Sequence, residues 1–112
     1  MPSGLVDAGE TPEAAAKREC REEVGYTSDR VAWVMRTPSS TGMTDETIEQ
    51  YILWDARPDP RGMEHGPHEL IRILEVKMED FREIMQIPIK IPDTFAIDSK
   101  LFSALAYANI AY

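Results

Sequence analysis

The sequence has little cysteine, few basic residues and no long apolar run. Its single cysteine, Cys20, has no partner for an intrachain disulfide, which is typical of a reducing compartment and predicts a cytoplasmic location. Lys and Arg number 12 against 20 Asp and Glu, and the net charge of −8 argues against a nucleic-acid partner. No apolar run approaches the roughly 18–20 residues of a membrane span, and residues 1–10 show no signal-peptide pattern. We therefore expect neither nucleic acid nor a membrane as a partner.

The length and composition are those of one globular domain. The chain has 112 residues, of which 43% are apolar and 29% are charged. This balance excludes a disordered tail, and we find no internal repeat or linker. We expect one domain over residues 1–112.

The first predicted element is a helix that begins after Thr11 and ends before Gly25. Thr11 can act as the N-cap, Pro12 suits the first helical position, and Glu13 complements the helix dipole. Gly25 is a plausible C-terminal stop.

Three later segments have the character of strands. Val31, Trp33 and Met35 alternate, and the ranges Thr47–Trp54 and Leu70–Val76 are rich in apolar and β-branched residues. Loops rich in Gly, Pro and polar residues are predicted over 37–45 and 57–68. A mixture of strands and helices predicts an α/β or α+β fold.

The C-terminal third predicts two helices separated by an extended segment. Phe81, Ile84 and Met85 have helical spacing, whereas the prolines of Ile87–Pro92 favour an extended chain. A final helix is expected after Asp98.

Three carboxylates have the spacing of a metal site on the first helix. Glu19, Glu22 and Glu23 fall within an arc of roughly 100° on one helix face. Clustered carboxylates without cysteine or paired histidine suit hard ions such as Mg²⁺ or Mn²⁺. Taken alone, these three residues fit a solvated acidic face better than a metal site, because charge runs usually face solvent and Lys17, Arg18 and Arg21 lie nearby.

The surrounding residues extend this cluster into a longer motif. Gly4, Glu10 and the run Arg18–Tyr26 follow the pattern G-x5-E-x7-R-E-U-x-E-E-x-G-U, where U is a bulky apolar residue. This pattern resembles the Nudix box, here residues 4–26. All of its glycine and charged positions match, and Cys20 and Tyr26 occupy the U positions.

The resemblance implies roles for the matching residues. In this family the box is a loop–helix–loop that holds Mg²⁺ or Mn²⁺ on three glutamates, which correspond to Glu19, Glu22 and Glu23 here. Arg18 is expected to orient the Glu19 carboxylate, and Glu10 to brace the loop or to assist a metal through water. The glycines of the box are expected to let the chain turn sharply before the helix (Gly4) and to end the helix (Gly25). Family members hydrolyse a nucleoside diphosphate linked to another group.

The resemblance also implies an α/β/α sandwich around a mixed sheet, with strands that normally precede the box. Only residues 1–3 precede Gly4, so we expect an N-terminally truncated Nudix domain. Strand edges left open would favour pairing between chains, and a homodimer is expected.

Residues downstream of the box resemble the ADP-ribose pyrophosphatase branch. The segment Gly42-Met43-Thr44-Asp45-Glu46 resembles its substrate loop, which assigns Gly42, Met43, Thr44 and Glu46 to substrate binding. A simple turn at Thr41-Gly42 is the alternative.

In this branch the water-activating carboxylate often lies on a loop outside the box. Glu69 and Glu64 are the candidates, with Glu19 as the remaining choice. The expected reaction is metal-dependent hydrolysis of a nucleoside diphosphate sugar, such as ADP-ribose to AMP and ribose 5-phosphate. The alternative is a truncated module that binds nucleotide or metal without turnover.

Overall fold

The computed structural model describes residues 1–77, 80 and 100–111, and in them two helices and four strands follow one another. The helices are α1 (Pro12–Val24) and α2 (Lys100–Ala111). The strands are β1 (Tyr26–Thr27), β2 (Arg30–Pro38), β3 (Thr47–Trp54) and β4 (Arg57–Pro58). Both strand pairs, β1–β4 and β2–β3, are antiparallel. The combination of helices with sheet confirms the predicted α+β class.

Helix α1 begins and ends at the predicted residues. The hydroxyl oxygen of Thr11 accepts a hydrogen bond from the Ala14 amide at 3.2 Å, and Pro12 occupies the first turn. At the other end Gly25 has φ 76°, a left-handed conformation that costs glycine little, and its amide donates to the Arg21 carbonyl at 2.8 Å. These two caps set the ends of the helix that carries the three glutamates.

Strands β2 and β3 form a hairpin in which Arg30 pairs with Trp54 and Pro38 with Thr47. Both predicted strands are confirmed, but the alternation expected along β2 is not kept. A bulge between Trp33 and Met35 inserts Val34, which is buried, whereas Trp33 is 54% exposed. A bulge changes the face that each later residue presents, and sequence alternation alone does not reveal it.

The short strands β1 and β4 were not predicted, because two residues carry no periodicity. Tyr26 pairs with Pro58, and Thr27 pairs with Arg57. The next residue, Asp59, donates its amide to the Gly25 carbonyl at 2.8 Å. This pairing places the start of the second predicted loop beside the C-terminal end of α1.

The third predicted strand, Leu70–Val76, is wrong. These residues form no strand, and the side chains of Leu70 and Leu74 are exposed. A strand requires a neighbouring backbone for its hydrogen bonds, and none of the described strands pairs with this segment. The helix expected at 81–85 and the extended segment at 87–92 lie outside the described residues.

The core of the described part is small. Its buried apolar side chains are Ala15 from α1, Val34 from β2 and Ala108 from α2. Both helices contact β3, and Ser103 of α2 lies 2.6 Å from the Gln50 amide oxygen in a hydrogen bond. Helix α2 confirms the predicted C-terminal helix. Within the described ranges, no helix is long and apolar enough to span a bilayer.

Candidate metal and catalytic site

Arg18 lies at the centre of the carboxylates of the box. Its Nη1 donates to Glu19 Oε1 at 2.6 Å and to Glu22 Oε2 at 3.2 Å. Its Nε and Nη2 donate to the two carboxylate oxygens of Glu10, each at 3.0 Å. Nη2 also reaches the Leu5 carbonyl at 2.9 Å, so one guanidinium joins the helix to the preceding loop.

Glu10 closes that loop from the other side. Its Oε2 accepts the Asp7 amide at 3.1 Å, and the Glu10 amide donates to the Asp7 carbonyl at 3.0 Å. The hydrogen bonds from Arg18 hold the pKa of Glu10 below its usual value, and they raise the pKa of Arg18. Glu10 is therefore an ionised partner that supports Arg18 and the loop together.

Glu23 has a different environment from Glu19 and Glu22. It accepts a hydrogen bond from the Ser3 amide at 3.3 Å rather than from Arg18. Burial raises the pKa of Glu23, and the charges of Glu19 and Glu69 raise it further against the opposing hydrogen bond from Ser3. An added cation would relieve this unfavourable charge.

Gly4 lies against the carboxylate of Glu19, and the sharp turn expected at this position stays a prediction. A Cβ at position 4 would lie 1.9 Å from Glu19 Oε1, which is far inside any allowed contact. The backbone at Gly4 is not in the left-handed region, unlike that at Gly25. A side chain at position 4 would therefore have to displace the Glu19 carboxylate, which is the flexible end of that side chain.

The donors fit a hard divalent cation by their chemistry. Glu19, Glu22 and Glu23 supply only carboxylate oxygens. Arg18 Nη1 lies within hydrogen-bond distance of both Glu19 and Glu22, which shows that these two carboxylates can share one cation. In the arrangement described for residues 1–77, 80 and 100–111, no three His, Cys, Asp or Glu side chains converge into a ready metal cage.

The second predicted loop brings Glu64 and Glu69 to the C-terminal end of α1 in different ways. Glu64 Oε2 accepts from Arg21 Nη2 at 2.9 Å, and the Glu64 amide donates to the Glu22 carbonyl at 2.9 Å. Glu69 closes a turn with Gly66, whose amide donates to Glu69 Oε2 at 2.6 Å. Glu64 is thus held in an ion pair, whereas Glu69 lies close enough to influence Glu23 electrostatically.

The predicted substrate loop is held by hydrogen bonds between its own residues. Gly42 has φ +87°, and the amides of Met43 and Thr44 both donate to the Ser40 carbonyl, at 3.2 and 3.3 Å. Met43 is 87% exposed. Of the predicted residues in this loop, Glu46 lines a cavity of about 450 Å³ that Glu19 also lines, whereas Gly42, Met43 and Thr44 do not line it.

Sequence reasoning missed two side chains that shape this region. Arg21 stands at an unspecified position of the box and was considered only as a neutralising charge. Asp59 is buried, and Arg61 lowers its pKa to about 2 by donating to both of its carboxylate oxygens. Neither residue has a local signal, because the partner loop of Arg21 follows about forty residues later and the burial of Asp59 depends on the β1–β4 pairing.

Comparison with known proteins identifies the class. The NUDIX domain model matches residues 1–97, and the chain therefore belongs to the Nudix family, as the motif predicted. Nudix hydrolases generally use divalent metals.

The chain is similar in sequence to three curated relatives of different names. It is 28% identical over 86 residues to an ADP-ribose pyrophosphatase of Bacillus subtilis (strain 168), covering 77% of this chain and 46% of the relative. It is 26% identical over 110 residues to a methanol dehydrogenase activator of Bacillus methanolicus, covering 98% and 56%. It is 27% identical over 119 residues to an ADP-sugar pyrophosphatase of Mus musculus, covering 97% and 53%. The chain thus spans about half the length of these relatives, and no solved structure matches it significantly.

Proposed function

We propose that the chain is a metal-dependent pyrophosphatase that hydrolyses the diphosphate linkage of a nucleoside diphosphate sugar. The observation that carries this proposal is that Glu19 and Glu22 on α1 both accept hydrogen bonds from one atom, Arg18 Nη1, at 2.6 and 3.2 Å, and that the spacing of Glu23 puts it on the same helix face. ADP-ribose is the proposed substrate, with AMP and ribose 5-phosphate as products. The names of two of the three relatives above, an ADP-ribose pyrophosphatase and an ADP-sugar pyrophosphatase, support this substrate class.

Some residues of the box would bind the cation, and others would orient the residues that bind it. Glu19, Glu22 and Glu23 would hold Mg²⁺, or Mn²⁺ in its place, and Arg18 with Glu10 would fix the Glu19 carboxylate. A bound divalent cation neutralises charge on the diphosphate and makes a water more acidic. The hydrogen bonds of Arg18 to Glu10 and Glu19 hold its guanidinium beside the glutamates that would bind the cation.

Glu69 is the carboxylate that we assign to proton abstraction from the attacking water. The ion pair between Glu64 and Arg21 holds the Glu64 carboxylate against α1 and restricts its movement. Glu69 receives one hydrogen bond from the Gly66 amide and otherwise lies at the exposed end of a turn. Glu19 is the remaining candidate, but its carboxylate is already held by Arg18.

The loop over residues 39–46 is the proposed recognition element for the sugar nucleotide. Glu46 lines the same cavity as Glu19, so this end of the loop lies beside the metal-binding helix. Gly42, Met43 and Thr44 are assigned to contacts that form when substrate binds. We further propose a homodimer, supported by the open edges of the described strands, and a cytoplasmic location, supported by a cysteine without a disulfide.

The decisive experiment measures release of AMP from ADP-ribose and from other nucleoside diphosphate sugars, with and without Mg²⁺. We expect metal-dependent release by the wild-type chain and a loss of at least about 100-fold in Glu22→Gln, because a metal ligand should contribute at least as much as its outer-shell partners. Arg36→Ala, an exposed substitution on β2, is the control and should retain activity.

Two outcomes would contradict parts of the proposal. Full activity in Glu22→Gln would show that the metal assignment is wrong. Tight binding of metal or nucleotide without any turnover would favour the alternative of a binding module, for which the short span of the chain relative to its relatives is the supporting observation.

A further inference from the structure

Arg21 joins a glutamate of the proposed metal site to a loop forty residues away. Its side chain is only 11% exposed, which is unusual for an arginine on an amphipathic helix. Nη2 donates to Glu22 Oε1 at 2.7 Å and to Glu64 Oε2 at 2.9 Å, and Nη1 donates to the Gly62 carbonyl at 3.3 Å. One guanidinium therefore bridges α1 and the loop over residues 59–69.

The loop is fixed to the end of α1 along most of its length. The Asp59 amide donates to the Gly25 carbonyl at 2.8 Å, and the Glu64 amide donates to the Glu22 carbonyl at 2.9 Å. His65 Nε2 lies 2.8 Å from the Glu23 carbonyl oxygen, which is one of the acceptors that a helix end leaves open. Among these contacts, the charged bridge through Arg21 is the one made by side chains at both ends.

The position of this loop decides where Glu69 lies. Glu69 follows His65 by one turn, which is closed by the bond from its own amide to the Gly66 carbonyl at 3.1 Å. A loop that moved away from α1 would take Glu69 with it.

We propose that Arg21 is a positioning residue, which holds the 59–69 loop against α1 and thereby keeps Glu69 near the C-terminal end of α1, the end that carries Glu22 and Glu23. The inference rests on the proposed function for the meaning of that carboxylate cluster. Arg21 does not touch the reacting atoms; it acts through Glu22 and through the loop. Its planar fork suits this task, because lysine offers a single charged nitrogen and cannot meet three acceptors on two elements with the same geometry.

The first test measures whether Arg21 holds the loop. In hydrogen exchange on the metal-free protein, Arg21→Ala should speed exchange of the Glu64 amide about tenfold, since charged hydrogen bonds of the bridge are lost. The Ala15 amide, which donates to the Thr11 carbonyl in the first turn, should be unchanged. Unchanged exchange at Glu64 would overturn the proposal. Glu64→Ala, a change at an exposed side chain, breaks the same bridge from the loop side and serves if Arg21→Ala does not fold.

The second test measures whether the loop matters to the carboxylate cluster, using Mn²⁺ alone as the probe. In the wild-type background Glu69→Gln should weaken Mn²⁺ binding about threefold, because a nearby negative charge is removed. In the Arg21→Ala background the same change should alter affinity by less than about twofold, because Glu69 is no longer held nearby. This double-mutant cycle separates the loss of position from the loss of the Arg21 charge itself.

The conservative variant Arg21→Lys distinguishes the planar geometry of the guanidinium from its positive charge. Arg21→Lys should behave like Arg21→Ala in the cycle and should lower kcat with little change in KM. Two results would overturn the proposal. One is an effect of Glu69→Gln on Mn²⁺ affinity that is as large in the Arg21→Lys background as in the wild type. The other is an equal effect of Glu69→Gln in the wild-type and Arg21→Ala backgrounds. Mn²⁺ binding without turnover in the wild-type chain would overturn the proposed function alone, whereas no Mn²⁺ binding at all would overturn both.

Discussion

The surroundings of α1 and the loop over residues 39–46 are built in opposite ways. Around α1, side chains from three separate segments meet, and Arg18 alone binds Glu10, Glu19, Glu22 and the Leu5 carbonyl. The hydrogen bonds that shape the 39–46 loop join its own residues, and Met43 at its tip is 87% exposed. One region is fixed by long-range charged contacts, and the other is shaped by local turns.

This difference matches the two tasks proposed for the regions. Electrostatic catalysis requires charged groups that are in place before the reaction, so that little reorganisation is needed. Substrate recognition tolerates a loop that adapts, since binding can order a few exposed side chains. The comparison predicts that substitutions around α1 affect stability and turnover, whereas substitutions in the loop affect substrate affinity.

The largest effect is expected for Arg18→Ala. The change leaves Glu10, Glu19 and the Leu5 carbonyl without their shared donor, and we expect a fall in Tm of roughly 5–10 °C together with loss of hydrolysis. Thermal unfolding followed by circular dichroism measures the first effect. Arg18→Lys keeps the charge without the fork and should recover part of the stability. A Tm equal to the wild-type value in Arg18→Ala would show that this region is not fixed as described.

Asp59 tests the same region through its pH dependence. Its pKa is lowered to about 2 by Arg61, so its contribution to stability is present above the ordinary value of 3.8 and is lost as the pH falls through about 2. Asp59→Asn should lower Tm by a few degrees at neutral pH, and the difference should close between pH 4 and pH 2. A difference that persists unchanged at pH 2 would contradict the assigned cause.

Glu23→Gln should separate binding from stability. Burial disfavours the charged form of Glu23, so a neutral amide should raise the Tm of the metal-free protein by roughly 2 °C. Addition of Mg²⁺ should raise the Tm of the wild-type chain and leave the variant almost unchanged. Thermal melts with and without Mg²⁺ check both points, and equal stabilisation of the two proteins by Mg²⁺ would remove Glu23 from the metal site.

The smallest effect on stability is expected for Met43→Ala. An exposed side chain at a loop tip contributes little, so Tm should change by less than about 2 °C. If the loop contacts the sugar nucleotide, KM should rise by up to about tenfold at constant kcat. Steady-state kinetics on ADP-ribose measure this. A lower kcat with unchanged KM would place Met43 in the chemistry and erase the proposed contrast between the two regions.

The sequence predicted the elements whose signals are local. Helix α1 is bounded by Thr11 and Gly25, and strand β3 occupies the expected range Thr47–Trp54. The prediction for Leu70–Val76 was wrong because strand formation depends on a neighbouring backbone, which composition does not reveal. The bulge at Val34 was missed for a related reason, since it is a property of the pairing between β2 and β3.

The residues of the site could also be predicted only where their signal is local. The motif names the carboxylates and Arg18, because their spacing along one helix is itself the signal. The bridge from Arg21 to Glu64 and the burial of Asp59 depend on how β4 and the following loop return to α1. Charged residues at unspecified motif positions, such as Arg21, therefore acquire their roles only in the folded chain.

The two glycines at the ends of the box should differ in the replacements that they accept. Position 25 requires a left-handed backbone conformation. Asparagine adopts a left-handed φ more readily than other residues with side chains, so we expect Gly25→Asn to be the least destabilising replacement. At position 4 the demand concerns volume, because the Glu19 carboxylate fills the place of a β-carbon. A side chain at position 4 would have to displace the Glu19 carboxylate from its hydrogen bond with Arg18, so the absence of a side chain there leaves room for a proposed metal ligand.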